Sequence, residues 1–238
     1  MHMAYNLSRH DLQSEREGKV EATQPSGKPA KHAPVPGRHG WPAIIVFLVI
    51  GVIYAFLPDR LMVGPRGLLL LVVAVMLVPL TVLRLRGYHH VTRVLALTLT
   101  ALVMVAVAAS AVFLLTRLPG KNVAAPTLLR DGALLWVANV LVFALWYWEI
   151  DSGGPMRRSH TNFRSTDFVF PQMTLDGASE HWTPHIIDYL FLAFNTSTAF
   201  SPTDTMVLSR RAKVLMMLQA IISLMVVTVL VARAINIL

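Results

Sequence analysis

The residues best suited to chemistry in this chain form one run rich in hydroxyls. It reads Asn195, Thr196, Ser197, Thr198, Ala199, Phe200, Ser201, Pro202, Thr203, Asp204, and it holds no glycine. Side by side, the hydroxyls of Thr196, Ser197, Thr198 and Ser201 offer oxygens that can line an ion path. Asp204, repeated around an axis, would add a ring of carboxylates, which favours cations. Local roles compete with these. Asp204 or Ser209 can cap the helix that follows, and the hydroxyls of 195–198 can satisfy the free carbonyls at the end of a helix. Such an end carries a partial negative charge that helps to hold a cation. Further on, Gln219 and Ser223 stand four residues apart on one helical face, and Thr228 follows. These three can line an aqueous path or join helices by hydrogen bonds.

Other polar groups make weaker cases. His89 and His90 are adjacent, so on a helix they point about 100° apart and do not converge on a metal. They read as interfacial surface residues. Glu149 and Asp151, with Arg157 and Arg158, read as structural ion pairs. No nucleophile elbow, phosphate-binding loop, His-Glu-x-x-His or calcium-loop pattern is present. The expectation is therefore a protein that is not an enzyme and needs no cofactor or metal. The chain has no cysteine, so disulfide and thiolate chemistry are excluded.

The elements that must position the hydroxyl run are apolar. Of 238 residues, 55% are hydrophobic and only 14% charged, against about a quarter charged in soluble domains. Residues 1–40 are polar, rich in Pro, Gly, Ser and Lys, and read as a disordered basic tail. The first apolar segment thus begins after about 40 polar residues, which is not the layout of a cleavable signal peptide. Spans are expected at 41–57, 68–83, 94–118, 133–150 and 209–238. Trp41 anchors the first at an interface, Pro79 kinks the second, and Trp146, Tyr147 and Trp148 mark where the fourth leaves the bilayer. Small residues at Ala106, Ala108, Ala109 and Ala111 would let a neighbouring helix approach the third closely. Residues 151–183 form a long polar loop with turn chemistry at 152–155, a basic cluster (Arg157, Arg158, Arg164) and apolar docking points at Phe168–Phe170. The segment 184–200 is too short for the ~20 residues a spanning helix needs. Followed at once by polar backbone, it reads as a re-entrant half-helix, which survives at membrane depth only where protein or water surrounds it.

This order of outer helix (133–150), loop (151–183), half-helix (184–200) and inner helix (209–238) resembles the pore module of tetrameric potassium channels. Residues 195–204 stand where those channels place a Thr-Thr-Val-Gly-Tyr-Gly-Asp filter. Residues 215–223 and 229–235 resemble the inner helix and its end. The same pattern is similar to uncharacterised bacterial membrane proteins of the DUF1345 type. The resemblance covers roughly residues 133–238, and 41–132 form a separate three-helix membrane region. It implies a homotetramer around a central path for inorganic ions in a bacterial inner membrane. The filter departs from the pattern. A carbonyl ladder needs the positive φ that glycine supplies, and Pro202 fixes φ and removes an N–H. Potassium selectivity is not expected, and side-chain hydroxyls replace carbonyls as the expected lining.

The fold expected is therefore an all-α polytopic membrane protein with five transmembrane helices and one re-entrant pore-type half-helix. Its partners are the lipid bilayer, further copies of itself and ions. Nucleic acid is not expected, because no basic domain with interleaved aromatics exists. Two other functions stay open: a non-conducting scaffold or accessory subunit whose turn is packed shut, and a small transporter or sensor that binds solute at the broken helix. Orientation also stays open. Basic residues favour a cytoplasmic tail, 84–93 loop and 151–213 stretch, whereas potassium channels place their pore loop outside.

Overall fold

A computed structural model describes residues 41–116, 124–155, 166–175, 182–199 and 204–235. The expected disordered tail (1–40), Phe200, Ser201, Pro202, Thr203 and the Arg157, Arg158 and Arg164 cluster lie outside them. Six α-helices are present among the described residues: α1 (Trp41–Ala55), α2 (Leu68–Leu85), α3 (His89–Thr116), α4 (Ala125–Ile150), α5 (Ile186–Thr198) and α6 (Arg210–Ile235). α2, α3, α4 and α6 are long and apolar enough to cross a membrane, as a polytopic membrane protein requires. α1 has 15 residues, about 22 Å at 1.5 Å per residue, which falls short of a ~30 Å hydrocarbon core.

The long helices run antiparallel in a bundle, and side-chain positions fix their two ends. Arg211 at the start of α6 donates from Nη2 to the carbonyl of Ile150 at the end of α4 (3.2 Å). At the other end, Gly132 of α4 lies against Leu230 of α6 and Leu114 of α3. A side chain there would clash, since a Cβ on Gly132 would sit 2.6 Å from Leu230 Cδ2. Tyr54 of α1 accepts a hydrogen bond from Ser110 of α3 (3.2 Å). Arg130 donates to the carbonyl of Phe56 (2.9 Å). We call the end where α4 finishes and α5 and α6 begin the near end, and the opposite one the far end.

Several boundaries differ from expectation for physical reasons. α4 starts at Ala125 rather than 133, with Pro126 in its first turn, where a missing N–H costs nothing. α3 starts at His89, so the histidine pair lies in a first helical turn rather than in a loop. α2 runs through Pro79 to Leu85 without breaking. Residues 195–198 are the last turn of α5, not a turn beyond it. The start of α6 is capped by Ser209, whose Oγ accepts from the Ala212 amide (3.2 Å). Asp204 is exposed in the segment before it. A two-residue antiparallel ladder, absent from the sequence reading, pairs β1 (Phe168–Val169) with β2 (Met206–Val207).

Candidate functional site

α5 is the element around which the candidate site is built. Its start is fixed by a reciprocal cap: Asp188 Oδ2 accepts from the His185 amide (2.7 Å), and the His185 side chain accepts at the third helical residue. Tyr189, one turn in, reaches the near end, where its hydroxyl donates to Asp151 Oδ2. The helix is 13 residues long, roughly 20 Å, and its last turn meets the middle of α6. There Ser223 Oγ donates to the Ser197 carbonyl (2.8 Å). Gln219 Nε2 donates to the Ala193 carbonyl (2.7 Å) and to Ser197 Oγ (2.8 Å). The chain is then back at the near end by residue 206, paired with β1, and Leu208 donates to the Asp167 carbonyl (2.9 Å). Beginning and return share one end of the bundle, and the tip of α5 lies halfway down.

The tip is held by a buried polar network from three helices. Tyr147 of α4 donates to Gln219 Oε1. A helical side chain leans toward its own N-terminus, so a tyrosine near the end of α4 can reach inward to this level. Asn139 Nδ2 approaches the Gln219 carbonyl at 3.4 Å. Gln219, Ser223, Asn139, Thr196 and Ser197 are all almost completely buried. Buried polar groups of this kind hold one geometry because an unpaired partner is expensive.

The base of α5 is held by a second lattice. Asp151 Oδ1 accepts from the amides of Asp167 (2.8 Å) and Phe168 (3.3 Å). Asp167 takes a bidentate pair from Arg211, at 2.7 Å from Nε and 2.6 Å from Nη2, the fork geometry for which arginine is suited. Burial alone would raise the Asp167 carboxyl. Hydrogen bonds from Arg211 and Ser209, the Arg211 charge and the Ser152 amide outweigh it and hold the group below the ordinary carboxylate value. The turn between these acids has left-handed backbone at Ser152 (φ 54°), Gly153 and Gly154, where glycine is the least strained residue. Aromatic rings seal the lattice. Tyr189 meets Trp148, Phe168 and Phe170 edge-on at 5.3–6.2 Å, and Phe170 packs on Trp182.

The expected site residues therefore separate. Thr196 and Ser197 are committed to bonds inside the subunit, Thr196 Oγ1 donating to the Leu192 carbonyl (2.8 Å). Thr198 and Ala199 are exposed at the helix tip, and Asn195 is half-buried with its Nδ2 unbonded among the described residues. Gln219 and Ser223 join α6 to α5, whereas Thr228 is exposed and bonds its own helix at the Leu224 carbonyl (2.7 Å). The sequence reading missed Asn139, Tyr147, Asp167 and Arg211. The signal available was an amide, a phenol and charges at the margins of apolar runs, where each is costly unless partnered. Among the described residues, no cluster of three or more His, Asp or Glu is arranged to hold a metal. No family model, curated protein or solved structure matches this chain.

Proposed function

We propose that this chain is an ion channel-like subunit of a bacterial inner membrane. In this reading α5 is a re-entrant pore-type helix, and α1 completes five spans with the four long helices. Four copies enclose a central path between their α5 tips and α6 helices. The observation that carries this reading is the path of residues 186–208: down to mid-bundle and back to the same end. A helix tip at that depth leaves carbonyls that lipid cannot satisfy. Thr198 and Ala199 are exposed there, so the reading has them sheltered by other copies around hydrated ions. The tip's partial negative charge, the Thr198 hydroxyl and Asp204 then supply the attraction for cations. The outward faces of α5 (Ile187, Phe191, Phe194) and α6 (Val214, Met217, Ile221, Leu224) are apolar, as contact with lipid or with copies requires.

A second reading has its own support. Thr196 and Ser197, the inner half of the expected hydroxyl lining, are turned into the subunit, which suits a sealed accessory subunit or scaffold. Reconstitution into liposomes separates the two. The channel reading expects a tetramer that passes potassium, sodium or another small ion, with flux re-tuned by Thr198→Val and Asp204→Asn. Tight sealing to potassium, sodium, chloride and protons in a cross-linked tetramer sinks it in favour of the scaffold. Saturable solute exchange would instead favour a small transporter.

A further inference from the structure

We infer that the near end of the bundle is a docking surface for anionic phospholipid headgroups. The two ends treat their charges in opposite ways. At the far end each described base outside the α3–α4 connection is engaged. Arg60 pairs with Asp131 (3.1 Å), Arg66 with Asp59 (3.2 Å), and Arg130 donates to the Phe56 carbonyl. At the near end it is the acids that are consumed. Glu149, Asp151 and Asp167 are all buried, Asp151 and Asp167 are bonded within the lattice, and Asp188 caps α5. The bases there stand outward: Arg86, His90, Arg210 and Lys213 are exposed. Arg86, Arg210 and Lys213 form no side-chain ion pair among the described residues. Asp204 is the exposed acid among them.

The same level of the bundle carries large apolar side chains in water-facing positions. Leu85 is 83% and Tyr88 57% exposed beside Arg86, and Met206 and Leu208 are each 53% exposed beside Arg210. Cations alternating with apolar and aromatic groups match a headgroup layer, where phosphates meet the bases and acyl carbons meet the rest. A soluble anion would satisfy the charges and leave Leu85, Tyr88, Met206 and Leu208 in water. The surface therefore selects a phospholipid over a free phosphate. Anionic lipid and basic loops both favour the cytoplasmic leaflet, so α5 rises from the cytoplasmic side, opposite to the potassium-channel arrangement. This inference rests on the membrane class alone and stands whether or not the subunit conducts.

The test uses the full-length chain in mild detergent, with bound lipid counted by native mass spectrometry across a salt series. The probes are phosphatidylglycerol, phosphatidylcholine and soluble glycerol phosphate. Phosphatidylglycerol is expected to be retained over phosphatidylcholine. Combining Arg86→Gln, Arg210→Gln and Lys213→Gln should lower that preference by about fivefold per cation removed. Arg86→Lys with Arg210→Lys should keep it, which separates lost charge from lost fold. Equal retention of both lipids, a preference unchanged in the triple variant, or displacement by glycerol phosphate at matched concentration would each overturn the proposal.

Discussion

The first three helices and the last three use polar groups in opposite ways. In α2 and α3 the hydroxyls of Thr81, Thr92, Thr98, Thr100 and Thr116 donate to carbonyls of their own helix four residues back. Among the described residues of these helices, Ser110 is the hydroxyl that reaches another helix, at Tyr54. In α4–α6 the polar groups cross between elements: Tyr147 and Asn139 to Gln219, Gln219 and Ser223 to α5, Tyr189 to Asp151, Arg211 to Asp167. A hydroxyl bonded to its own helix says nothing about its neighbours. A crossing bond fixes depth and rotation. The difference shows which half needs a specified geometry, since a 13-residue helix cannot hold its depth by spanning.

The contrast breaks most severely at Asp151. Replacing it by alanine strands two buried amides and the Tyr189 hydroxyl, and should cost about 3–5 kcal/mol, read as loss of thermal stability in detergent. Next is Gln219→Leu, which keeps apolar volume but removes the crossing bonds to Tyr147, Ala193 and Ser197. At roughly 0.6 kcal/mol per interhelical bond, the expected loss is about 2 kcal/mol, with faster proteolysis at the α5–β2 connection. A matched Thr228→Val, at an exposed hydroxyl bonded to its own helix, should be close to neutral. Equal losses at positions 219 and 228 would sink the idea that crossing bonds position α5.

Acid should act on the base lattice with a smaller effect, because about half of the Arg211 side chain faces water and the pair is partly screened. Asp167 is held below its ordinary value of 3.8. A carboxyl depressed by folding contributes stability above the unfolded value and loses it as pH falls through the folded one. Stability should therefore be flat through neutral pH and fall below about pH 4. Asp167→Asn should start lower at neutral pH and lose less on acidification. An unchanged acid limb in that variant would remove Asp167 from the lattice's energetics.

The sequence made the apolar helices legible because hydropathy and length are local properties. The short helix at 184–200 was legible for the same reason: its apolar run stops too soon to span. Gln219 and Ser223 were visible as a helical pair, since i and i+4 share a face. Their partners were not, because no local pattern links Asn139 or Tyr147 to a residue some eighty or seventy positions later. The hydroxyls of 195–198 were assigned to a turn by composition, yet each threonine bonds a carbonyl of its own helix, so helix and hydroxyls coexist. The β1–β2 ladder had no periodic signal, being two residues on each side. Ser209 and Asp204 were equally plausible caps by type, and only the position of the Ala212 amide separates them.

The smallest effect sharpens the comparison from the other side. Ser110→Ala removes the bond that Ser110 makes to α1, and the Tyr54 hydroxyl still donates or accepts elsewhere because it also receives the Val63 amide (2.8 Å). The expected loss is about 0.6 kcal/mol, a small shift in melting temperature. If α1–α3 are held by apolar packing, overpacking should matter more there than lost polarity. Gly51→Ala supplies that control: its Cβ would sit 2.8 Å from Leu70 Cδ1 and 3.4 Å from Leu70 Cα. The Leu70 side chain can turn aside but the backbone cannot, so α1 and α2 must separate slightly, at about 1–3 kcal/mol. A larger loss from Ser110→Ala than from Gly51→Ala would show that the first three helices depend on their polar contact as the last three do. The distinction between a packed half and a bonded half would then fail.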